Sequence, residues 1–392
     1  MQRGAASPAA PARRRAGHSQ AIEIEPESRY ASQELISWWD QRALATAEVI
    51  VVGAGAIGNE TIKNLALLGV GRLRLFDFDH IEARNLSRCV LFRETDQGRR
   101  KVDVAAERVR ELAPDVAAMG EAVDVVYDLG VGAVRRCNVV LGCIDNRLAR
   151  RTLNELCFLA GVPWIDAAID EMNGQVRLFR HGEGACYECL LKATDLASIQ
   201  ARYSCGFLAR EKVLEGKVPT TVTSAALVGA WQAQEAAKVI CGQPVKWGAA
   251  LISVGMSSEA YTTELPRKDD CPLHARETYE VVRGNRQAPW SSVLEAASAD
   301  HVSLRHSLIT ALACAVCDKT TSVLGTLGRM TESEAECPDC NGLRQPGIVS
   351  AVARDSSELI ALTPAECGIP ESEILLARND SHEFELLLET DP

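Results

Sequence analysis

The sequence is short of positive charge, of long apolar runs and of aromatic side chains, and each shortage excludes something. Lys and Arg number 42 against 53 Asp and Glu, a formal net charge of −11. The chain therefore lacks the broad positive field that draws a protein onto phosphate backbones, and no nucleic-acid partner is expected. No apolar run reaches the roughly 20 residues that cross a bilayer, and the Ala/Pro/Arg-rich start lacks the apolar stretch of a secretory signal. The expectation is a cytoplasmic protein with no membrane partner. Aromatics make up 5% of the chain, yet 47% of it is apolar, so the core must come from Ala, Leu and Val on helices and strands. At 392 residues the chain exceeds the usual single-domain size, which predicts one large domain and a smaller appended module.

Cysteine is plentiful, at fourteen. In an enzyme-sized chain with no secretory signal, that points to metal binding or catalysis rather than to disulfides.

Residues 1–27 read as a disordered leader without periodicity. Residues 28–46 read as a helical segment that packs Trp38 and Trp39 on the main domain. An apolar β-run ending at Val52 passes at once into GAGAIG, then into a helical pattern that stops at Gly69. A second strand starts three residues later, so the helix returns the chain to the same sheet as a parallel neighbour. Apolar runs at 138–143 and 163–168 continue the alternation and predict a doubly wound, Rossmann-like α/β sheet. The runs at 174–180 and 251–256 flank a long Ala-rich helix at 222–241, which predicts an antiparallel extension of that sheet. The domain reading is 28–277 for this unit and 278–392 for an α+β module with helices near 290–298 and 304–313.

Gly53, Gly55 and Gly58 form G-x-G-x-x-G at a strand-to-helix junction, where backbone N–H groups can approach phosphate. Asp77, at the end of the next strand, suits a carboxylate gripping ribose hydroxyls. The glycines alone favour an NAD-binding oxidoreductase, and Asp77 suits that reading as well as any other nucleotide site. The continuation is more specific: D77-F-D-H-I-E-A-R-N85-L-S-R88, then Lys101, then Asp145 in C-I-D-N-R. Fixed cations, amides and carboxylates are what a site needs to neutralise charge growing on an α-phosphate as pyrophosphate leaves.

Over residues 28–275 the chain resembles the ubiquitin-activating/ThiF/MoeB family, with a bacterial ubiquitin-like activating enzyme as the type. The resemblance implies ATP-dependent adenylation of the C-terminal carboxylate of a ubiquitin-like or sulfur-carrier protein. It implies a homodimer and, as a further partner, a conjugating enzyme. By it Asp77 holds the ribose, Asn85, Arg88 and Lys101 contact the triphosphate, and Asp145 binds magnesium together with Asp79. Asp79 reads equally as a helix or turn cap. Family members carry a second arginine in R-Y-x-R that reaches the neighbouring subunit's ATP, and here the motif is R29-Y-A-S32, with Ser32 in that place. A non-catalytic partner subunit would be expected to have lost Arg88, Lys101 or Asp145, and all three are present.

Cys186 and Cys189 have the spacing that puts two thiolates on one tetrahedral ion. Where the family supplies its second pair this chain has Cys271 and His274, a set still suited to a structural zinc. Cys314 and Cys317, then Cys337 and Cys340, make two knuckles with zinc-ribbon spacing. Cys205, between the first pair and the Ala-rich helix, resembles the family's thioester position, and Arg202 and Arg210 stand near it in sequence. The other reading is that Cys205 is structural and the reaction stops at the adenylate, as in MoeB-like members.

Overall fold

The computed structural model describes residues 28–192, 194–195, 220–276, 279–356 and 358–390; the leader 1–27 and Cys205 lie outside them. Strand β1 (Glu48–Val52) shows why the first sheet has helices on both faces. Val49 and Val51 enter one core while Ile50 and Val52 enter the other, so the strand is buried on both sides. It pairs in parallel with β2 (Arg72–Phe76) on one side and β4 (Val139–Gly142) on the other. β3 (Ala117–Glu121) adds beyond β2, and β5 (Trp164–Asp170) adds in parallel beyond β4. β6 (Asn173–Phe179), β7 (Ala249–Val254) and β8 (Glu259–Glu264) extend the sheet antiparallel, giving the order β3-β2-β1-β4-β5-β6-β7-β8. The order reverses at β1, and a doubly wound sheet opens its ligand crevice at the carboxyl ends of the strands around such a point.

Helices α1 (Ala56–Leu67) and α2 (Lys101–Leu112) cover the Val49 face. α3 (Val131–Arg135) and α4 (Arg147–Ala160) cover the Ile50 face, and α5 (Val222–Ile240) crosses β5 and β6 on the α1 side. Local chemistry sets their ends. Asn146 caps α4 by accepting from Leu148 N–H at 2.8 Å, Gly161 ends it at φ 69°, and Thr221 with Ser224 forms a capping box on α5. Among the described residues no helix is long and apolar enough to cross a membrane.

A second sheet runs β11-β10-β13-β14-β9, with β12 also on β10. Its strands are β9 (Val281–Asn285), β10 (His301–Cys314), β11 (Thr320–Thr326), β12 (Arg344–Ala353), β13 (Glu373–Arg378) and β14 (Glu383–Glu389). It packs on α6 (Trp290–Ala296), whose Trp290 is fully buried. This sheet docks on the first unit through α3: Gly132 N–H donates to Ser372 O at 2.7 Å, and Ile374 and Leu387 enter the Ile50-side core.

Two local expectations fail. Residues 304–313, read as a helix from their Leu and Ala content, lie inside β10. Val302, Leu304 and Leu308 recur with the period of a strand, and pairing with β11, β12 and β13 outweighs weak helix propensity. The segment 28–46 is two short helices, Ala31–Glu34 and Gln41–Thr46, with the exposed Leu35 between them. Trp39 packs on the core, and Trp38 lies against Trp39 at 5.5 Å between ring centres.

Candidate functional site

The glycine loop leaves β1 in a conformation that side chains would block. Gly53 has φ 95°, donates its N–H to Phe76 O at 2.7 Å, and would place a Cβ 2.4 Å from Cys143 O. A Cβ on Gly58 would lie 1.9 Å from Gly53 O. These two glycines let the loop, the end of β4 and the first turn of α1 close on one another. Gly55 differs: a Cβ there would meet nothing within 4 Å. It borders open space at the N-terminus of α1, where unpaired N–H groups and the helix dipole favour an anion.

Asp77 follows β2 and ties this loop to the next. Its Oδ2 accepts from Ala54 N–H and its Oδ1 from Asp79 N–H, each at 2.8 Å. Burial raises its pKa above the ordinary carboxylate value, although Lys101 and both N–H donors oppose the rise. Lys101, the first residue of α2, is buried and reaches Asp79 Oδ2 at 2.7 Å. Burial alone would lower its pKa, but Asp77 and then Asp79 outweigh burial and hold it above the ordinary lysine value. The site therefore keeps a charged ammonium beside a loop shaped for phosphate.

Asn85 is buried in a single turn, its Oδ1 accepting from Glu82 N–H at 2.9 Å. Arg88 is half-buried and donates to Arg84 O at 2.7 Å. Asp145 is exposed on the loop from β4 to α4, which Arg150 braces by bonding Ile144 O and the buried Asp166. Arg29 is held within the chain by Asp115 at 3.1 Å and Leu112 O at 2.6 Å.

Two positioning amides escaped the sequence reading. Asn59, fully buried on α1, donates to Ala54 O at 2.7 Å and Gly55 O at 3.2 Å, and its Oδ1 accepts from Leu91 N–H at 2.9 Å. Gln232 on α5 donates to Gly142 O and Ile165 O and accepts from Thr61 and Cys143. The only sequence signal was a polar residue on an otherwise apolar helix face.

The first cysteine set is assembled as expected: the ligand atoms of Cys186, Cys189, Cys271 and His274 all lie within 4.8 Å of one another. Cys186 Sγ is 3.8 Å from Cys189 Sγ and 3.6 Å from Cys271 Sγ, and Cys189 Sγ is 3.7 Å from His274 Nδ1. Four ligands at zinc–sulfur distance around a tetrahedral ion stand about 3.8 Å apart, so this donor set fits zinc. Cys314, Cys317, Cys337 and Cys340 form the second set, with Cys314–Cys340 at 3.4 Å and Cys317–Cys337 at 3.7 Å. Its two knuckles repeat one turn, with Asp318 and Asn341 at φ 56° and 57°, each donating its N–H to the carbonyl of the cysteine four residues earlier. Of the other described cysteines, Cys89, Cys137, Cys157 and Cys367 are buried while Cys143 and Cys241 are partly exposed.

A doubly wound sheet with a glycine loop at its reversal point, backed by paired acidic and basic side chains, defines a nucleotide-site class of α/β protein. The sequence profile of the ThiF family matches residues 28–273, and the chain belongs to that family. It is 34% identical over 212 residues to the adenylyltransferase and sulfurtransferase MOCS3 of Sus scrofa, covering 54% of this chain and 44% of that one. It is 37% identical over 173 residues to the protein of that name from Bos taurus, covering 43% and 38%. The chain thus spans less than half the length of these two relatives. The crystal structure of E. coli MccB with ATP shares the fold at TM-score 0.54 and 22% identity, over 64% of this chain and 75% of that one.

Proposed function

We propose that the chain is an adenylyltransferase that uses ATP to activate the C-terminal carboxylate of a ubiquitin-like or sulfur-carrier protein, working as a homodimer. Residues 28–277 are the adenylating unit of this proposal and 278–392 its appended module. The observation that carries it is the buried, charged Lys101, hydrogen-bonded to Asp79 and facing Asp77, next to a glycine loop with open space at Gly55. A triphosphate carries more negative charge than the pyrophosphate of a nicotinamide cofactor and so makes greater use of that ammonium.

In the proposed reaction a carboxylate oxygen of the carrier bonds to the α-phosphorus, the bond to the bridging oxygen breaks, and pyrophosphate leaves with its electrons. Gly55 and the α1 N-terminus receive phosphate oxygens, Asn85, Arg88 and Lys101 offset the growing charge, and Asp77 accepts from the ribose. Asp145 and Asp79 are hard oxygen donors of the type magnesium takes, and the ion would supply further charge neutralisation. A second step, transfer of the acyl group from the adenylate to the Cys205 thiolate with release of AMP, belongs to the same proposal.

The test is carrier-dependent exchange of labelled pyrophosphate into ATP. Asp145→Ala should abolish it while leaving the melting temperature unchanged, because the side chain is exposed. Exchange that persists in this variant overturns the assignment of Asp145. Cys205→Ala should leave exchange intact and remove any thiol-sensitive carrier conjugate, and a conjugate that survives excludes Cys205 as the acceptor.

A further inference from the structure

Resting on the adenylation reading, we infer that Asn59 is a positioning residue that fixes the Arg88 segment against the phosphate-binding loop. The amide uses both ends. Its Nδ2 donates to the carbonyls of Ala54 and Gly55, the second of which borders the open space, and its Oδ1 accepts from Leu91 N–H, three residues beyond Arg88. The side chain is fully buried, and the neighbours it joins are two separate walls of the site. Other features hold those walls from elsewhere: Asp77 ties Ala54 to the Asp79 loop, and Gln232 ties α1 to β4. Among the described residues, the side-chain hydrogen bonds that span from the loop to the 88–91 segment are those of Asn59.

The chemistry needs such a link. Arg88 acts on charge that develops at the phosphates, and electrostatic stabilisation of that kind depends on donors held in place before reaction. Arg88 itself is only half-buried, and among the described residues its side chain hydrogen-bonds to Arg84 O, within its own turn. Its distance from the loop is therefore set by the segment that Leu91 terminates. A hydrophobic residue at 59 could fill the volume but could not bond both walls. An aspartate would retain an acceptor for Leu91 N–H yet turn a carboxylate oxygen toward two carbonyls.

A double-mutant cycle separates positioning from mere support. Wild type, Asn59→Ala, Arg88→Ala and the double variant are compared in carrier-dependent pyrophosphate exchange and in ATP binding by calorimetry, with a thermal melt of each to establish that it is folded. Asn59→Ala should lower kcat for exchange at least tenfold with a smaller change in KM for ATP. In the Arg88→Ala background the same substitution should change kcat less than twofold. Multiplying effects in the double variant would overturn the inference, since a purely supporting residue costs the same with or without Arg88. If Asn59→Ala fails to fold, Asn59→Asp and Asn59→Ser carry the cycle, and Asn59→Asp should show the same dependence on Arg88. Failure of wild type to exchange while it binds ATP sinks the adenylation reading alone, and the cycle is then read in the ATP dissociation constants. Absence of both sinks the two together.

Discussion

At the scale of single residues, His306 has a strongly altered environment away from the glycine loop. It stands on β10 with Nε2 donating to Val126 O at 2.8 Å and its ring against Tyr127 at 4.8 Å. Burial first, and then the charge of Arg305, lower its pKa from the ordinary value near 6.5 to about 4, although Glu155 and the Val126 bond oppose this. A histidine with a depressed native pKa binds its proton in the unfolded chain first. Between about pH 6.5 and 4 the unfolded state thus holds more protons, and stability falls as pH falls. The loss amounts to on the order of 3 kcal/mol by pH 4 if His306 acts alone. Urea unfolding at pH 7, 5.5 and 4 checks this: His306→Gln should flatten the pH slope relative to wild type, and an unchanged slope would remove His306 as its cause.

Elements, rather than residues, decide how the three loop glycines divide their work. Gly58→Ala drives a methyl to 1.9 Å from Gly53 O, a backbone atom that cannot swing aside, so it should destabilise the fold by roughly 2 kcal/mol or more and impair nucleotide binding with it. Gly55→Ala meets no protein atom and should cost about 1 kcal/mol or less as an N-cap change. If the open space is where phosphate sits, it should still weaken ATP binding at least tenfold. Calorimetric titration with ATP, paired with thermal melts, distinguishes the two outcomes. A Gly55→Ala variant that binds ATP normally would move the phosphate site elsewhere. These glycines were legible in the sequence because a strand, a turn and a helix start are all encoded within a dozen residues. The cysteine sets were legible too, since ligand spacing is local chemistry. β10 was not, because its partners β12 and β13 lie far along the chain and only they reveal that Leu and Ala at 304–313 belong to a strand. Asn59 was hidden for a related reason: its role consists of bonds to Ala54 and Leu91, and nothing at position 59 announces either.

On the scale of the whole molecule, the second cysteine set does more than close a hairpin. The chain between Cys317 and Cys337 carries Leu327–Arg329, and this segment also touches the first unit: Tyr127 Oη donates to Gly328 O at 3.0 Å, and Arg329 pairs with Asp128 while its guanidinium lies 5.0 Å from the Tyr127 ring centre. The segment has little apolar mass of its own, so a metal holding both knuckles would supply the order that keeps Gly328 in place. Loss of the metal should therefore loosen a contact between units as well as the ribbon itself. Cys337→Ser tests this without disturbing the Cys186 set, and hydrogen exchange reads it out. Amides at 125–128 and 320–329 should lose protection together, while β1 and β2, whose cores contain no residue of 314–340, keep theirs. The α3 contact with Ser372 should hold the two sheets together through the change, because Gly132, Ile374 and Leu387 do not depend on the knuckles. Loosening confined to 314–340, with Val125–Asp128 as protected as in wild type, would show that the first unit orders this contact and that the metal serves the ribbon alone.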